Sequence, residues 1–353
     1  MNSEKLYYVW DYNDVDKAFW AEHLEGFLPK RIIDAHTHVG YPDLRLEHMT
    51  EEKKRQYWVN ELIEPITPKQ AEKCYKIVFP GKDVSCVAFG YASLEWDIDG
   101  IEKRLAEDIS ALGWRRLAVV GPDVSAPALD RILDSEGVIG VKVYYDLIGF
   151  DPNSRDKYLE ASIFDFLPHH QLEVLNRRKA WVTLHVPKAG RLGHPDNIRE
   201  VKEIREKYPD IILVIAHLGR CYTMTHAQKA FPELADDKGL YFDNSAVLNP
   251  DVHKYALKTF GPERILYGTD NPIFYMRGRR QWSGETYTNR TNYPFYFNKD
   301  REPAEVEANY TLFMYEALKA IKDACNSLSF TQTEVEKIFY GNATELIRVA
   351  NRG

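Results

Sequence analysis

A chain of 353 residues can bury a large core and suits one big α/β domain or two smaller ones. Its composition, 44% hydrophobic and 28% charged, is ordinary for a globular protein, and its net charge of −7 argues against a general nucleic-acid binder, which would show a basic footprint. No apolar run approaches the ~18 residues of a membrane-spanning helix, and the polar, aromatic start MNSEKLYYVWDYNDVDKAF has no apolar core of a signal peptide.

In chain order, residues 1–30 read as an extension packing on the main body of the chain. Its aromatics, Trp10 and Trp20 among them, either cap that body or bury a homodimer contact. A first core strand is expected over 31–38, RIIDAHTH, ended by Gly40-Tyr41-Pro42. Residues two apart in a strand share a face, so Asp34, His36 and His38 are expected together, with Ile33, Ala35 and Thr37 opposite. Further strands are expected near 84–91, 115–121, 138–145, 180–186, 211–217, 240–246 and 264–270. Helical patterns lie between them at 101–114, 164–179 and 194–209, the last with Asp196 near its start and Pro209 after its end. Alternating strands and helices predict parallel strands with crossover helices, and eight of them predict a (β/α)8 TIM barrel. A doubly wound open sheet is the alternative, although no G-x-G-x-x-G follows the first strand. Residues 272–301 are too long for an ordinary loop and too aromatic for a disordered one, and helical patterns near 303–326 and 331–350 close the chain.

Polar residues recur at the ends of these runs. His36 and His38 end the first, and Lys142 lies on the fourth. His185 ends the fifth in LHVP, His217 the sixth in IAHLGR, and Asp270 the eighth in YGTDNP. In a barrel the carboxyl ends of the strands form the active-site face. On the fourth strand Ile139, Val141 and Val143 are expected to face the helices, leaving Lys142 and Tyr144 inward; on the sixth, Ile211, Leu213, Ile215 and His217 share a face. An isolated H-x-H fits hydrogen-bonded core histidines as well as metal ligands. So many ionisable groups in one barrel mouth are costly to bury unless they are paired or hold a metal. Imidazoles with a carboxylate suit Zn²⁺, Fe²⁺ or Mn²⁺, with a position left for water. The remaining histidines, His23, His48, His169, His170, His194, His226 and His253, fall on helices or loops and are expected to be solvated or capping.

The ordered set DAHTH, GVKV, LHVP, AHLGR, YGTDNP and a late FYGNATEL resembles the amidohydrolase superfamily. Its closest branch is the amidohydrolase-related group that includes aminocarboxymuconate semialdehyde decarboxylase and resorcylate-type decarboxylases. The resemblance covers about 31–350 and implies a barrel over 31–353, with 272–301 as an insert beyond the common pattern. It implies that His36, His38, His185 and Asp270 bind the metal, one zinc with manganese or iron as alternatives, and that Asp270 and His217 are catalytic. Lys142 matches a lysine that is carboxylated and bridges two metals in binuclear members. Otherwise it is a plain lysine pairing with Asp34 or a substrate anion. The reaction implied is hydrolysis, by metal-activated water, of a lactone, ester or amide. Non-oxidative decarboxylation of an aromatic or conjugated carboxylate is the alternative, and a non-catalytic metal-binding protein the third reading.

The insert carries Arg277, Arg279, Arg280, Arg290, Lys299 and Arg301 against Glu285 and Asp300. Such a basic patch on an acidic chain attracts anions. The insert is therefore expected to be a lid that gives Arg277 or Arg280 to a substrate carboxylate, or else a solvated loop or subunit contact. Arg220 is a second candidate clamp, or a rim salt bridge, and Tyr144 either lines the pocket or fills the mouth. The expected partner is a small molecule rather than nucleic acid or membrane. Cys74, Cys86, Cys221 and Cys325 are scattered without C-x-x-C, which fits a reducing cytoplasm.

Overall fold

The computed structural model describes residues 3–149 and 159–351. Two short strands, β1 (Glu4–Tyr7) and β2 (Trp10–Tyr12), form an antiparallel hairpin in the N-terminal extension. Eight parallel strands then form one sheet whose spatial order is the chain order. They are β3 (Arg31–His38), β4 (Asp83–Phe89), β5 (Arg115–Val119), β6 (Val138–Val143), β7 (Trp181–Leu184), β8 (Ile212–Ile215), β9 (Leu240–Asp243) and β10 (Ile265–Leu266). Helices such as Ile98–Leu112, His169–Arg177 and Pro195–Lys207 cross between them and bury their apolar faces outside the sheet. The fold is a (β/α)8 barrel. All eight expected strands are present, and most stop short of the expected carboxyl end because those last residues turn into the loops over the barrel mouth. Among the described residues no helix is long and apolar enough to cross a membrane.

β10 is only two residues long and makes no ladder with β3. The seam between first and last barrel strands closes through single backbone hydrogen bonds. The amides of Ala35, His38 and Asp270 donate to the carbonyls of Tyr267 (2.9 Å), Asn271 (2.8 Å) and His36 (2.8 Å). The fully buried Asp34 carboxylate completes the seam. It accepts from the amides of Thr269 (3.0 Å) and His36 (3.0 Å) and from the hydroxyls of Thr269 (2.5 Å) and Tyr75 (2.6 Å). Burial pushes its carboxyl up to about 6, against the pull of these donors.

Strict alternation fails on three strands. β3 is irregular between Asp34 and Thr37, so Ala35 stays in the barrel interior with Ile33 and His36 lies inside as well, against Phe89. Asp34 therefore turns outward to Tyr75, on the helix Pro68–Val78, and does not share a face with His36 and His38. On β6 a register shift against β5 places Ile139 inside with Trp181, whereas Val141 and Val143 face the helices as expected. Gly140 beside it admits the close approach of β7, for a Cβ there would sit 1.8 Å from the Trp181 carbonyl oxygen. On β8 Leu213 and Ile215 pack outward, so parity alone would aim His217 away from the cavity. It faces the cavity because the chain turns left-handed from His217 through Arg220, with φ of 57, 48, 70 and 63°.

The insert folds as an antiparallel hairpin, β11 (Gly278–Ser283) with β12 (Thr286–Thr291). Just before it, Arg277 grips Asp16 of the extension with both terminal nitrogens, Nη1 to Oδ1 at 2.8 Å. It also donates to the carbonyls of Tyr310 (2.9 Å) and Asp11 (2.6 Å), while the Thr311 hydroxyl donates to Asp16 (2.8 Å). Both charged groups are buried. Arg277 is thus a clamp between extension and insert, and corrects the expectation that it reaches substrate: its donors are committed elsewhere and it does not line the cavity. Trp10 and Trp20 are buried within the chain, Trp20 against Phe79 and Tyr315.

Asp34→Ala strands the Thr269 and Tyr75 donors and loosens the seam; a loss of about 3 kcal/mol is expected in denaturant unfolding. Asp16→Ala leaves a buried guanidinium unpaired and is expected to cost about 3–5 kcal/mol. The double variant Asp16→Leu with Arg277→Met should lose less than Asp16→Ala alone in the same unfolding measurement.

Candidate active site

The closed seam brings residues from both ends of the barrel to one point. Asp270 Oδ1 lies 3.5 Å from His36 Nε2 and 3.4 Å from His38 Nε2. These three side chains each offer one ligand atom, all within 4.8 Å of one another. Burial raises the Asp270 carboxyl, but His217, the His38 hydrogen bond and His36 together outweigh it and hold it at about 2.

Behind this group stands Asp243, at the end of β9 and fully buried. Its Oδ2 accepts the Nδ1–H of His36 at 2.9 Å, and its Oδ1 accepts from the amides of His217 (3.0 Å) and Ser245 (3.1 Å) and from the Ser245 hydroxyl. Although burial works to raise it, the neighbouring His36 and His217 and these donors hold its carboxyl well below the usual range. The bond to Asp243 puts the His36 proton on Nδ1 and leaves a lone pair on Nε2. Because the Ser245 hydroxyl donates to Asp243, it accepts from His217 Nδ1–H at 2.8 Å, near the Ser245 carbonyl at 3.2 Å. Neutral His217 therefore also presents an acceptor Nε2.

His36 Nε2, His38 Nδ1 and His185 Nδ1 are buried with no hydrogen-bond partner. Two imidazoles that turn their Nε2 atoms to one carboxylate oxygen, with that of His36 otherwise uncommitted, fit a divalent cation. His185 lines the same cavity with its ring centroid 5.1 Å from that of His217, but stands outside the close group of three. His36, His217 and Asp243 form a second close group, already joined by the hydrogen bonds above.

The site opens into a cavity of about 760 Å³. Lys142 lies in its wall, 2% exposed, with Nζ 4.9 Å from the Phe89 ring centroid. Burial lowers its amine to about 8, against the raising effect of Asp243 and Asp270. It makes no ion pair with Asp34, which faces the other side of the sheet. Tyr144 also lines the cavity, its ring stacked on Tyr145 at 4.3 Å and 4.7 Å from His185. Arg220 lines the cavity too; it makes no rim salt bridge among the described residues but donates to the carbonyls of Val186, Pro187 and Lys188. Arg280 enters from the hairpin, 5% exposed.

Among ten non-glycine residues with positive φ in the described chain, five line this cavity: Arg191, His217, Arg220, Ala246 and Asp270. Such conformations cost energy and concentrate where side chains must be aimed. Asp243 and Ser245 escaped the sequence reading, although an acid at the carboxyl end of the short LYFD run was the same signal that singled out Asp270. Of the histidines expected to be solvated or capping, His194 caps the helix Pro195–Lys207 through the Asp196 amide, but His226 and His253 are buried, bonded to Thr223 and the Val247 carbonyl.

A family model described as Amidohydrolase matches residues 33–349. No curated protein matches the chain. Among solved structures it is similar to 5-carboxyvanillate decarboxylase from Sphingomonas paucimobilis, at 13% identity over 91% of this chain and 99% of that one, with a TM-score of 0.54. It is similar to a candidate 2-pyrone-4,6-dicarboxylic acid hydrolase from Pseudomonas putida, at 16% identity over 91% and 99% of the two chains, TM-score 0.54. A zinc-bound amidohydrolase from Burkholderia multivorans aligns at 12% identity over 90% and 99%, TM-score 0.55. At these identities the structures speak for the fold alone. With the family model covering nearly the whole barrel, the chain belongs to the amidohydrolase family.

Proposed function

We propose that the protein is a metal-dependent hydrolase that cleaves a C–O or C–N bond of a small lactone, ester or amide. The observation that carries this reading is the convergence of Asp270 Oδ1 on the Nε2 atoms of His36 and His38 at the floor of the cavity. His36, His38 and Asp270 would hold the ion, with His185 alongside. A divalent ion there supplies Lewis acidity, which lowers the pKa of water towards ~7 and polarises a carbonyl oxygen.

The chain's own residues move the protons. Asp270 takes a proton from the attacking water and passes it to the leaving group. Asp243 fixes the His36 tautomer and, through Ser245, that of His217. With its Nδ1–H committed, His217 serves as a second proton acceptor, and polarises a carbonyl only once protonated. Lys142 lies within electrostatic reach of Asp243 and Asp270, where its charge balances theirs.

Non-oxidative decarboxylation is the second reading, since a 5-carboxyvanillate decarboxylase shares the fold. The same residues serve it, with protonation at carbon before carbon dioxide leaves. Turnover in ¹⁸O-water separates the two: hydrolysis carries one label into the organic product, whereas decarboxylation leaves the organic product unlabelled and releases one carbon dioxide per turnover.

Elemental analysis of untagged protein is expected to find one equivalent of zinc, manganese or iron, and two would mark Lys142 as a carboxylated bridge. His36→Ala is expected to lose the metal, and with it the rise in melting temperature that added zinc gives the chelated wild-type protein. Asp270→Asn is expected to lower turnover by about 10²-fold or more with the fold intact by circular dichroism. Full turnover in that variant would remove Asp270 from the base role.

A further inference from the structure

Arg191, Arg220 and Arg280 meet in one wall of the cavity. None of them makes an ion pair with a carboxylate among the described residues, although this chain has 53 acidic residues against 46 basic ones. Arg280 is the deepest of the three. Its Nε donates to Asn289 Oδ1 across the hairpin (2.8 Å) and its Nη1 to the Ala246 carbonyl (2.7 Å), while Nη2 has no acceptor among the described residues. Arg220 is anchored through Nη1, to three successive carbonyls at 3.1–3.2 Å, and among the described residues its Nε and Nη2 have no acceptor. Arg191 donates from Nη1 to the Arg220 carbonyl at 3.0 Å.

Two of these cations share the same aromatic pair. Arg280 lies 4.1 Å from the Tyr287 ring centroid and 5.3 Å from that of Tyr222, and Arg191 lies 5.9 Å and 5.0 Å from the same rings. Ring faces and neutral carbonyls hold these cations in place without cancelling their charge. Like charges gathered in one cavity wall repel, and a protein holds them together at a cost unless an anion is to come between them. The backbone carries a further cost: Arg191, Arg220 and Ala246, whose carbonyl fixes Arg280, all have positive φ.

We propose that Arg191, Arg220 and Arg280 form an anion subsite, distinct from the His36–His38–Asp270 group, that binds the non-reacting carboxylate of a small acid. The substrate class rests on reading the cavity as a hydrolytic site; the subsite itself does not. Planar guanidinium forks match a carboxylate in two-point geometry. Tyr222 and Tyr287 hold two of the three guanidiniums against their rings and so help to aim them into the cavity. The hairpin that interrupts the barrel pattern is then a specificity element: it carries Arg280 and Tyr287, and its two strands fix the guanidinium through Asn289.

The test is calorimetric titration of chelator-treated protein with benzene-1,3-dicarboxylate and, in parallel, with its uncharged diamide, at low and high salt. The diacid is expected to bind more tightly than the diamide, and less tightly as salt rises. Arg280→Gln is expected to weaken diacid binding by about tenfold or more without changing metal content. Arg191→Gln, whose side chain is only half-buried and anchors a single carbonyl, provides the same readout if Arg280→Gln does not fold. His36→Ala should leave diacid binding in place. Absence of diacid binding at millimolar concentration, equal binding of acid and diamide, or unchanged affinity in both arginine variants would each overturn the subsite. Failure of the hydrolase reading would show elsewhere, as absent metal or absent ¹⁸O incorporation, with diacid binding intact.

Discussion

Closing a barrel requires the first and last strands to meet, and here the last strand is two residues long. The work passes to a few backbone hydrogen bonds and to one carboxylate, Asp34, that ties the start of the barrel to Thr269. The donors around Asp34 include the amide of His36 and the amide and hydroxyl of Thr269, the neighbours in sequence of His38 and Asp270. The alignment of two imidazoles with one carboxylate is therefore set by the same contacts that close the sheet. A shift of one residue along this seam would leave the barrel recognisable and separate the three side chains.

Charge in the cavity follows a division of labour. Asp270 sits on the floor with Asp243 buried behind it, both among imidazoles and near Lys142, while Glu95 and Asp146 also line the cavity. The guanidiniums sit in a side wall and are held by carbonyls and tyrosine rings. Neither set neutralises the other through a direct ion pair among the described residues. The arrangement keeps both a cation site and an anion site open within one cavity of about 760 Å³.

Much of this was legible in the sequence because apolar runs report buried strands and because polar residues at their ends have few other reasons to be there. The eight runs, the two histidines of DAHTH and Asp270 all came from that logic. What was not legible depended on tertiary contacts. The irregularity in β3 that turns Asp34 outward and the left-handed run that turns His217 inward both break a period of two, and each is set by what the chain packs against. Arg277 looked like a substrate ligand because its partner, Asp16, lies 261 residues away in sequence. Asp243 was overlooked because its partners, His36 and His217, meet it only in the fold.

The Asp16–Arg277 clamp has a consequence for how such a chain can diversify. The extension and the hairpin insert lie at opposite ends of the sequence, yet each holds half of a buried charge pair. Neither can be lost or exchanged alone without leaving its counterpart ionised in an apolar setting. The two segments are thus coupled energetically, as one accessory bolted to the barrel at two points. A recombination that grafts this hairpin onto another barrel must bring the first thirty residues with it, or replace Arg277 in the same event.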